Sequence, residues 1–258
     1  MRLVVLGSGT SNGVPVIGCD CPVCRSPDPR DKRTRPSALV QVGGSRVLVD
    51  TTPELRLQLV RENVPTVDAI VFTHEHADHI YGLDDVRVFS MRERRAVPVF
   101  GPARTLAAIR RSFAYIFAEG PSIGGGRPQL DLREVDGPFE PAPGVPFEPI
   151  PVWHGAMPVN AYRIGDLAYV TDVNRIDPGA LDRLRNLDVL ILDALRERPH
   201  PTHYSVAEAL EVVAELKPAR TYLTHICHDM GHADMDGKLP PGVELAYDGL
   251  AVELADPK

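Results

Sequence analysis

The chain has 258 residues, a formal net charge of −7, 43% hydrophobic residues and 24% charged ones. That length can bury a full core in one domain, expected here over residues 1–258. No apolar stretch approaches the ~20 residues of a membrane span. The densest basic spot, Arg92-Glu93-Arg94-Arg95, is broken by an acid, which argues against extended nucleic acid as a partner.

Taken in order, Leu3–Leu6 reads as a strand that runs into the glycine-rich Gly7-Ser8-Gly9-Thr10-Ser11-Asn12-Gly13. Cys19-Asp20-Cys21-Pro22-Val23-Cys24 then sets three thiols within six residues, a spacing poorly suited to disulfide geometry. Met1–Leu6 is too short for the apolar core of a secretory signal, so the thiols are expected reduced and the protein cytoplasmic. Clustered thiolates suit tetrahedral zinc and need a fourth ligand. His228 is the first candidate and Cys227 its competitor.

Ala38–Val42 and Val47–Asp50 read as strands joined by a turn at Gly43-Gly44. Thr52-Pro53-Glu54 has the form of an N-cap followed by proline, opening a helix over Thr52–Arg61. The apolar run Ala69–Phe72 delivers Thr73-His74-Glu75-His76-Ala77-Asp78-His79, three imidazoles and a carboxylate that suit Zn or Mn. His74 and His76 alternate by two and can converge on one ion, while Asp78 and His79 begin the next element and can face a second.

A helix-like run covers Ala103–Phe117, a loop follows over Gly120–Arg127, and the Pro/Gly-rich stretch Gly137–Pro151 reads as a surface connection. Strand-like runs then lead into His154, Asp172 and His225, with a hairpin turn at Gly165-Asp166 between Val159–Ile164 and Leu167–Thr171. Val189–Leu192 is an apolar strand ending in Asp193. Ser205-Val206-Ala207-Glu208 is a capping box opening a helix with Val206, Leu210, Val213 and Leu216 on one face. The last strands meet at Asp248-Gly249. Strands alternating with helices in two halves fit the α/β class, two mixed sheets face to face with helices outside.

His-x-His-x-Asp-His after an apolar strand resembles the signature of the metallo-β-lactamase fold superfamily. The resemblance implies an αββα sandwich with a two-ion site completed by His154, Asp172 and His225, and a buried carboxylate, Asp50, that orients a ligand. It implies that His74, His76 and His154 hold one ion, that Asp78, His79 and His225 hold the other, and that Asp172 bridges them. A carboxylate at 172, where zinc β-lactamases commonly use Cys, favours the bridged form.

The glycine loop leading into Cys19-x-Cys21-x-x-Cys24 is similar to the phosphoribosyl 1,2-cyclic phosphate phosphodiesterases. That resemblance implies a structural zinc on Cys19, Cys21, Cys24 and His228, and a chemical role for His203 beside Asp78. The expected activity is hydrolysis of small phosphodiesters, cyclic ones first, by a hydroxide bound to two divalent ions, Mn or Zn. The competing readings are a carrier or assembly protein like the pyrroloquinoline quinone biosynthesis protein, an RNA 3′-processing nuclease and a thioesterase. In that superfamily the segment between His79 and His154, long here, covers the active site, and whether residues 91–145 act as a substrate lid is left open. The expected partner is a small phosphodiester, with no membrane and with homodimerisation left open.

Overall fold

A computed structural model describes residues 1–120 and 125–257. Part of the expected loop Gly120–Arg127, residues 121–124, lies outside the described residues. The strands are β1 (Arg2–Gly7), β2 (Ser37–Val42), β3 (Ser45–Val49), β4 (Ala69–Val71), β5 (Val97–Gly101), β6 (Leu130–Glu134), β7 (Phe139–Ala142), β8 (Val145–His154), β9 (Met157–Ile164), β10 (Leu167–Val170), β11 (Val189–Asp193), β12 (Arg220–Thr224), β13 (Val243–Leu245) and β14 (Ala251–Glu253). The α-helices are α1 (Pro22–Arg25), α2 (Leu55–Arg61), α3 (Ala77–Ile80), α4 (Arg87–Glu93), α5 (Ala103–Ser112), α6 (Pro178–Arg183), α7 (Val206–Leu216) and α8 (His232–Met235).

Two seven-stranded sheets result, in the orders β14-β1-β2-β3-β4-β5-β6 and β13-β12-β11-β10-β9-β8-β7. Both are mixed. The runs β3–β6 and β10–β13 are parallel, while β1–β2–β3 and β8–β9–β10 are antiparallel. This is the αββα sandwich expected above.

Side-chain alternation divides each strand between two cores. Leu3 and Val5 of β1 point between the sheets and meet Tyr169 of β10 and Ile191 of β11 in one cluster. Val4 and Leu6 point outward under Leu55 and Leu59 of α2, with Phe89 of α4 and Ile109 of α5 in the same cluster. On the other side, Val170 and Leu192 face α6, α7 and α8 through Ala180, Ala209 and Met235. Strands covered on both faces read as continuous apolar runs, which is why β1 and β11 carry no polar alternation. Both expected hairpin turns form, with Gly43 at φ 55° and Gly165 at φ 57°. The capping box also forms, since Ser205 N–H donates to Glu208 Oε2 at 2.8 Å and Glu208 N–H to Ser205 Oγ at 3.4 Å.

Four expectations require correction. Gly137–Pro151 is not a surface connection but contributes β7 and most of β8. Pro149 and Pro151 are tolerated because their nitrogens share the side of Trp153 N–H, which turns away from β9 toward the Arg175 carbonyl. The helix expected from Thr52 begins at Leu55, and Thr52 Oγ1 donates to Glu54 instead of capping. Helix α5 stops at Ser112, short of Phe117. The last strands, expected to meet at Asp248-Gly249, do not pair, since β13 is an edge of one sheet and β14 an edge of the other. The described part of segment 91–145 is mainly the unit β5-α5-β6 at one edge of the first sheet, and the start of α5 reaches the histidine loop, where Arg104 and Thr105 bind the Glu75 carboxylate.

The turn after β3 packs tightly on α3. Thr51 N–H donates to the His79 carbonyl at 2.6 Å, and Gly82 N–H donates to the Thr51 carbonyl at 2.8 Å. A Cβ at Gly82 would lie 2.0 Å from the Thr52 carbonyl oxygen, which is backbone and cannot swing aside. Gly82→Ala is therefore expected to destabilise by about 1–3 kcal/mol, as overpacking does. A thermal melt measures it; an unchanged Tm would show that the turn yields.

Candidate functional site

The functional side chains leave the carboxyl ends of strands. Asp50 follows β3, Asp172 comes two residues after β10 and His225 follows β12. All three have left-handed backbones, with φ of 61°, 57° and 60°. Non-glycine residues seldom adopt that conformation, and it clusters where function requires it. Each of the three side chains is buried. His154 is the last residue of β8, and the loop after β4 carries His74 and His76 into α3, whose first turn holds Asp78 and His79.

Asp172 lies at the centre. Its Oδ2 is 3.6 Å from His74 Nε2 and 4.0 Å from His154 Nε2. Its Oδ1 is 3.2 Å from His79 Nε2 and 3.3 Å from His225 Nε2. Asp78 Oδ2 is 3.6 Å from both His79 Nε2 and His225 Nε2. Two ligand-like groups result, His74–His76–His154–Asp172 and Asp78–His79–His225–Asp172, with Asp172 common to both. The side chains singled out in the sequence thus lie close together.

Outer partners fix the rings. His79 Nδ1 is 2.8 Å from Asp50 Oδ2, and Asp50 also accepts from the Thr73 N–H at 2.9 Å and the Thr73 hydroxyl at 2.8 Å. The same hydroxyl lies 2.9 Å from His74 Nδ1, and the Thr202 carbonyl lies 2.7 Å from His154 Nδ1. Each ring therefore turns its Nε2 toward the shared centre. His74 Nε2, His79 Nε2, His225 Nε2 and Asp78 Oδ2 are buried without a hydrogen-bond partner. Such orphaned atoms are costly unless something satisfies them. An inward set of imidazoles and carboxylates fits divalent ions.

The electrostatics are uneven. Burial pushes His74 well below the usual imidazole range and also lowers His154. Burial opposes charge on His79 and His225 too, but Asp172 and Asp78 outweigh it, raising His79 well above the usual range and His225 to about 9. The same pairs hold Asp172 and Asp78 low despite burial. Without a cation, protons on His79 and His225 balance the buried carboxylates.

His203 lies behind this cluster, stacked on His225 with 4.5 Å between ring centroids and tilted against His154 at 4.5 Å. Its Nδ1 is 2.6 Å from Asp193 Oδ2, an oxygen that also accepts from the Val173 N–H at 2.8 Å.

The three neighbouring thiols and His228 lie together. His228 Nδ1 lies 3.2 Å from Cys19 Sγ, 3.6 Å from Cys21 Sγ and 3.5 Å from Cys24 Sγ. Cys21 N-caps α1, and the Cys24 N–H it accepts lowers its thiol to about 7. Cys227 stands apart, accepting from the Asp229 N–H at 3.3 Å, and burial raises its thiol. Of the two candidates for the fourth position, His228 is the one among the thiols.

Residues 45–226 match the β-lactamase superfamily domain, which is more than half of the chain. The chain belongs to this superfamily. A crystal structure described as a new diphosphatase from the PhnP family superposes with TM-score 0.92 at 45% identity, covering 98% of each chain. The Porphyromonas gingivalis protein named octanoyltransferase is 38% identical over 97% of this chain, which spans only 51% of that protein. Zn(2+)-bound PqqB from Methylobacterium extorquens shares the fold alone, with TM-score 0.75 at 19% identity over 98% of this chain and 100% of its own.

Within this superfamily site, sequence reasoning missed the role of Asp193. The signal was present, because an acid closes an apolar strand lying between β10 and β12, next to those leading into Asp172 and His225. The Thr202 carbonyl gave no signal, since its value lies in where the backbone runs. No helix among the described residues is long and apolar enough to cross a membrane.

Asp50 is the keystone of the outer partners. Asp50→Ala would strand the Thr73 N–H and the His79 imidazole in a buried site, and breaking a buried pair this way costs about 3–5 kcal/mol. Chemical denaturation should read that loss. Stability within 1 kcal/mol of the parent, roughly the exposed-pair scale, would show that Asp50 is not needed to hold the rings.

Proposed function

We propose that the protein is a metal-dependent hydrolase of small phosphodiesters, with cyclic ones the first candidates, and of the related diphosphate linkage. The observation that carries this is the Asp172 carboxylate, each oxygen of which faces two imidazoles. His74, His76 and His154 with Asp172 would hold one divalent ion, and Asp78, His79 and His225 with Asp172 the other, as Zn or Mn. Divalent ions held there would polarise phosphoryl oxygens and lower the pKa of water. Asp78 and Asp172 cannot neutralise two such ions, so the cleft stays positive and suits an anion whose charge grows in the transition state. The PhnP-family diphosphatase at 45% identity supports phosphorus as the centre attacked.

The chain's own contribution to the chemical step centres on His203. Asp193 accepts its Nδ1 proton, which fixes the ring. A proton held at Nε2 is then available to the departing oxygen. Cys19, Cys21, Cys24 and His228 would hold a separate structural zinc. The octanoyltransferase name belongs to a protein half of which has no counterpart here, so acyl transfer is the competing outcome.

The test is turnover after loading with Mn or Zn, on cyclic and linear phosphodiesters, a diphosphate and an octanoyl thioester. Turnover of phosphorus substrates is expected; turnover of the thioester alone would overturn the reading. His203→Ala should keep its metal content while kcat falls about 10²–10⁴-fold. The loss should shrink for very acidic leaving groups, which depart without a proton. A fully active His203→Ala would remove His203 from the chemistry.

For the thiol site, Cys21→Ser should lose one zinc equivalent by elemental analysis and melt earlier, whereas Cys227→Ser should keep its zinc. Unchanged zinc content in Cys21→Ser would remove the site, and loss of zinc in Cys227→Ser with none in His228→Ala would assign the fourth ligand to Cys227.

A further inference from the structure

Asn174 joins three segments that converge on the site. It lies two residues beyond Asp172, in the chain that leaves β10. Its Oδ1 accepts from the Gly155 N–H at 2.7 Å, and its Nδ2 donates to the Pro201 carbonyl at 3.0 Å. One partner is a backbone donor and the other a backbone acceptor, so together they fix which end of the amide is which. The Asn174 N–H also donates to the Trp153 carbonyl at 2.8 Å. A single side chain thus grips the turn after β8 with one end and the stretch ahead of α7 with the other.

Both of those stretches carry site residues. His154 precedes Gly155, and its Nδ1 lies 2.7 Å from the Thr202 carbonyl. Thr202 is also seated on the turn itself, since a Cβ at Gly155, whose φ is 64°, would lie 2.9 Å from Thr202 Cγ2. His203 comes next, with its ring 4.5 Å from those of His154 and His225. Beyond it, Tyr204 N–H donates to the Val173 carbonyl at 2.8 Å. Residues 201–204 are therefore fastened to the chain after Asp172 at both ends, by the Asn174 amide in front and the Val173 carbonyl behind. The rear tie is backbone to backbone and any residue could make it. The front tie needs a side chain that accepts at one end and donates at the other.

We propose that Asn174 is a positioning residue that sets two groups at once, the His154 imidazole through the Thr202 carbonyl and His203 through the stretch that carries it. The inference rests on the metal-dependent hydrolase reading and assigns the alignment of His203 with the group His74–His76–His154–Asp172 to one amide outside both. Outer partners that orient a ligating histidine commonly carry 10–100-fold in metal affinity or activity. A proton donor displaced by about 1 Å loses rate on a similar scale.

The test compares Asn174→Ala and Asn174→Asp with the wild type. Asn174 is only half-buried, so both variants are expected to fold, and thermal melts check this. The aspartate keeps an acceptor for the Gly155 N–H but cannot donate to the Pro201 carbonyl, so a residue that merely supported the turn after β8 would be rescued by it. Its added charge would attract a cation, so a fall in metal affinity cannot come from that charge. Affinity for Zn or Mn, measured by competition with a chelator, should fall about 10-fold in both variants. With phosphodiester substrates, kcat should fall most for poor leaving groups, as in His203→Ala, with KM little changed. Wild-type affinity in Asn174→Asp, or an equal loss of kcat across leaving groups, would overturn the proposal. If the wild type hydrolyses no phosphorus substrate, the hydrolase reading fails, and the metal titration alone then decides for or against Asn174.

Discussion

Everything at this site depends on placing Asp172, a fully ionisable group, at a buried point where four imidazoles face it. A carboxylate taken out of water is costly unless matched by positive charge and hydrogen bonds. The fold concentrates the remedy at one place. The parallel strands of both sheets end on the same side, so residues distant in sequence, such as His74 and His225, converge without any single loop supplying them all. The left-handed backbone at Asp50, Asp172 and His225 shows the same demand at the level of φ, since the chain accepts an unfavourable conformation to aim a side chain.

The uneven protonation of the cluster follows from the same geometry. His74 and His154 each meet one oxygen of Asp172, at 3.6 and 4.0 Å, and burial dominates them. His79 and His225 sit closer to Asp172 and also face Asp78, so attraction dominates there. A metal ligand must present a neutral imidazole, so an ion held by the second set would have to displace the protons that Asp172 and Asp78 favour on His79 and His225.

Much of this was legible in the sequence because the informative residues are rare types in short patterns. Three histidines and an aspartate in six residues cannot be spread over a surface without reason, and strand-like runs ending in His154, Asp172 and His225 supply the missing partners. The sheets were legible where apolar runs were nearly unbroken, as in β1 and β11. Legibility failed where a residue's usual meaning was reversed by its position. The Pro/Gly-rich stretch Gly137–Pro151 read as a surface connection, yet Pro149 and Pro151 lie in β8 with their nitrogens facing away from β9, where no ladder hydrogen bond is lost. Thr52 read as a helix cap, but the turn it occupies packs against α3 and the helix starts three residues later. Asp193 was visible as a strand end and silent as a partner of His203, because that pairing needs the neighbouring order of β10, β11 and β12.

The thiol cluster and the metal-ligand cluster are linked through the chain that leaves β12. His225 turns into the main site, Ile226 pairs with the N-terminal loop, Cys227 lends its carbonyl to the buried Arg33, and His228 turns out to the thiols. Four consecutive residues thus serve four different partners, an arrangement possible because a left-handed His225 lets the strand end abruptly. Arg33 is itself held by Asp31, whose carboxylate also accepts from the His232 N–H, so the segment from β12 to α8 is fastened at both ends. The thiols and the backbone of Ile226 thereby brace the N-terminal loop against the same stretch of chain that presents His225 to the main site.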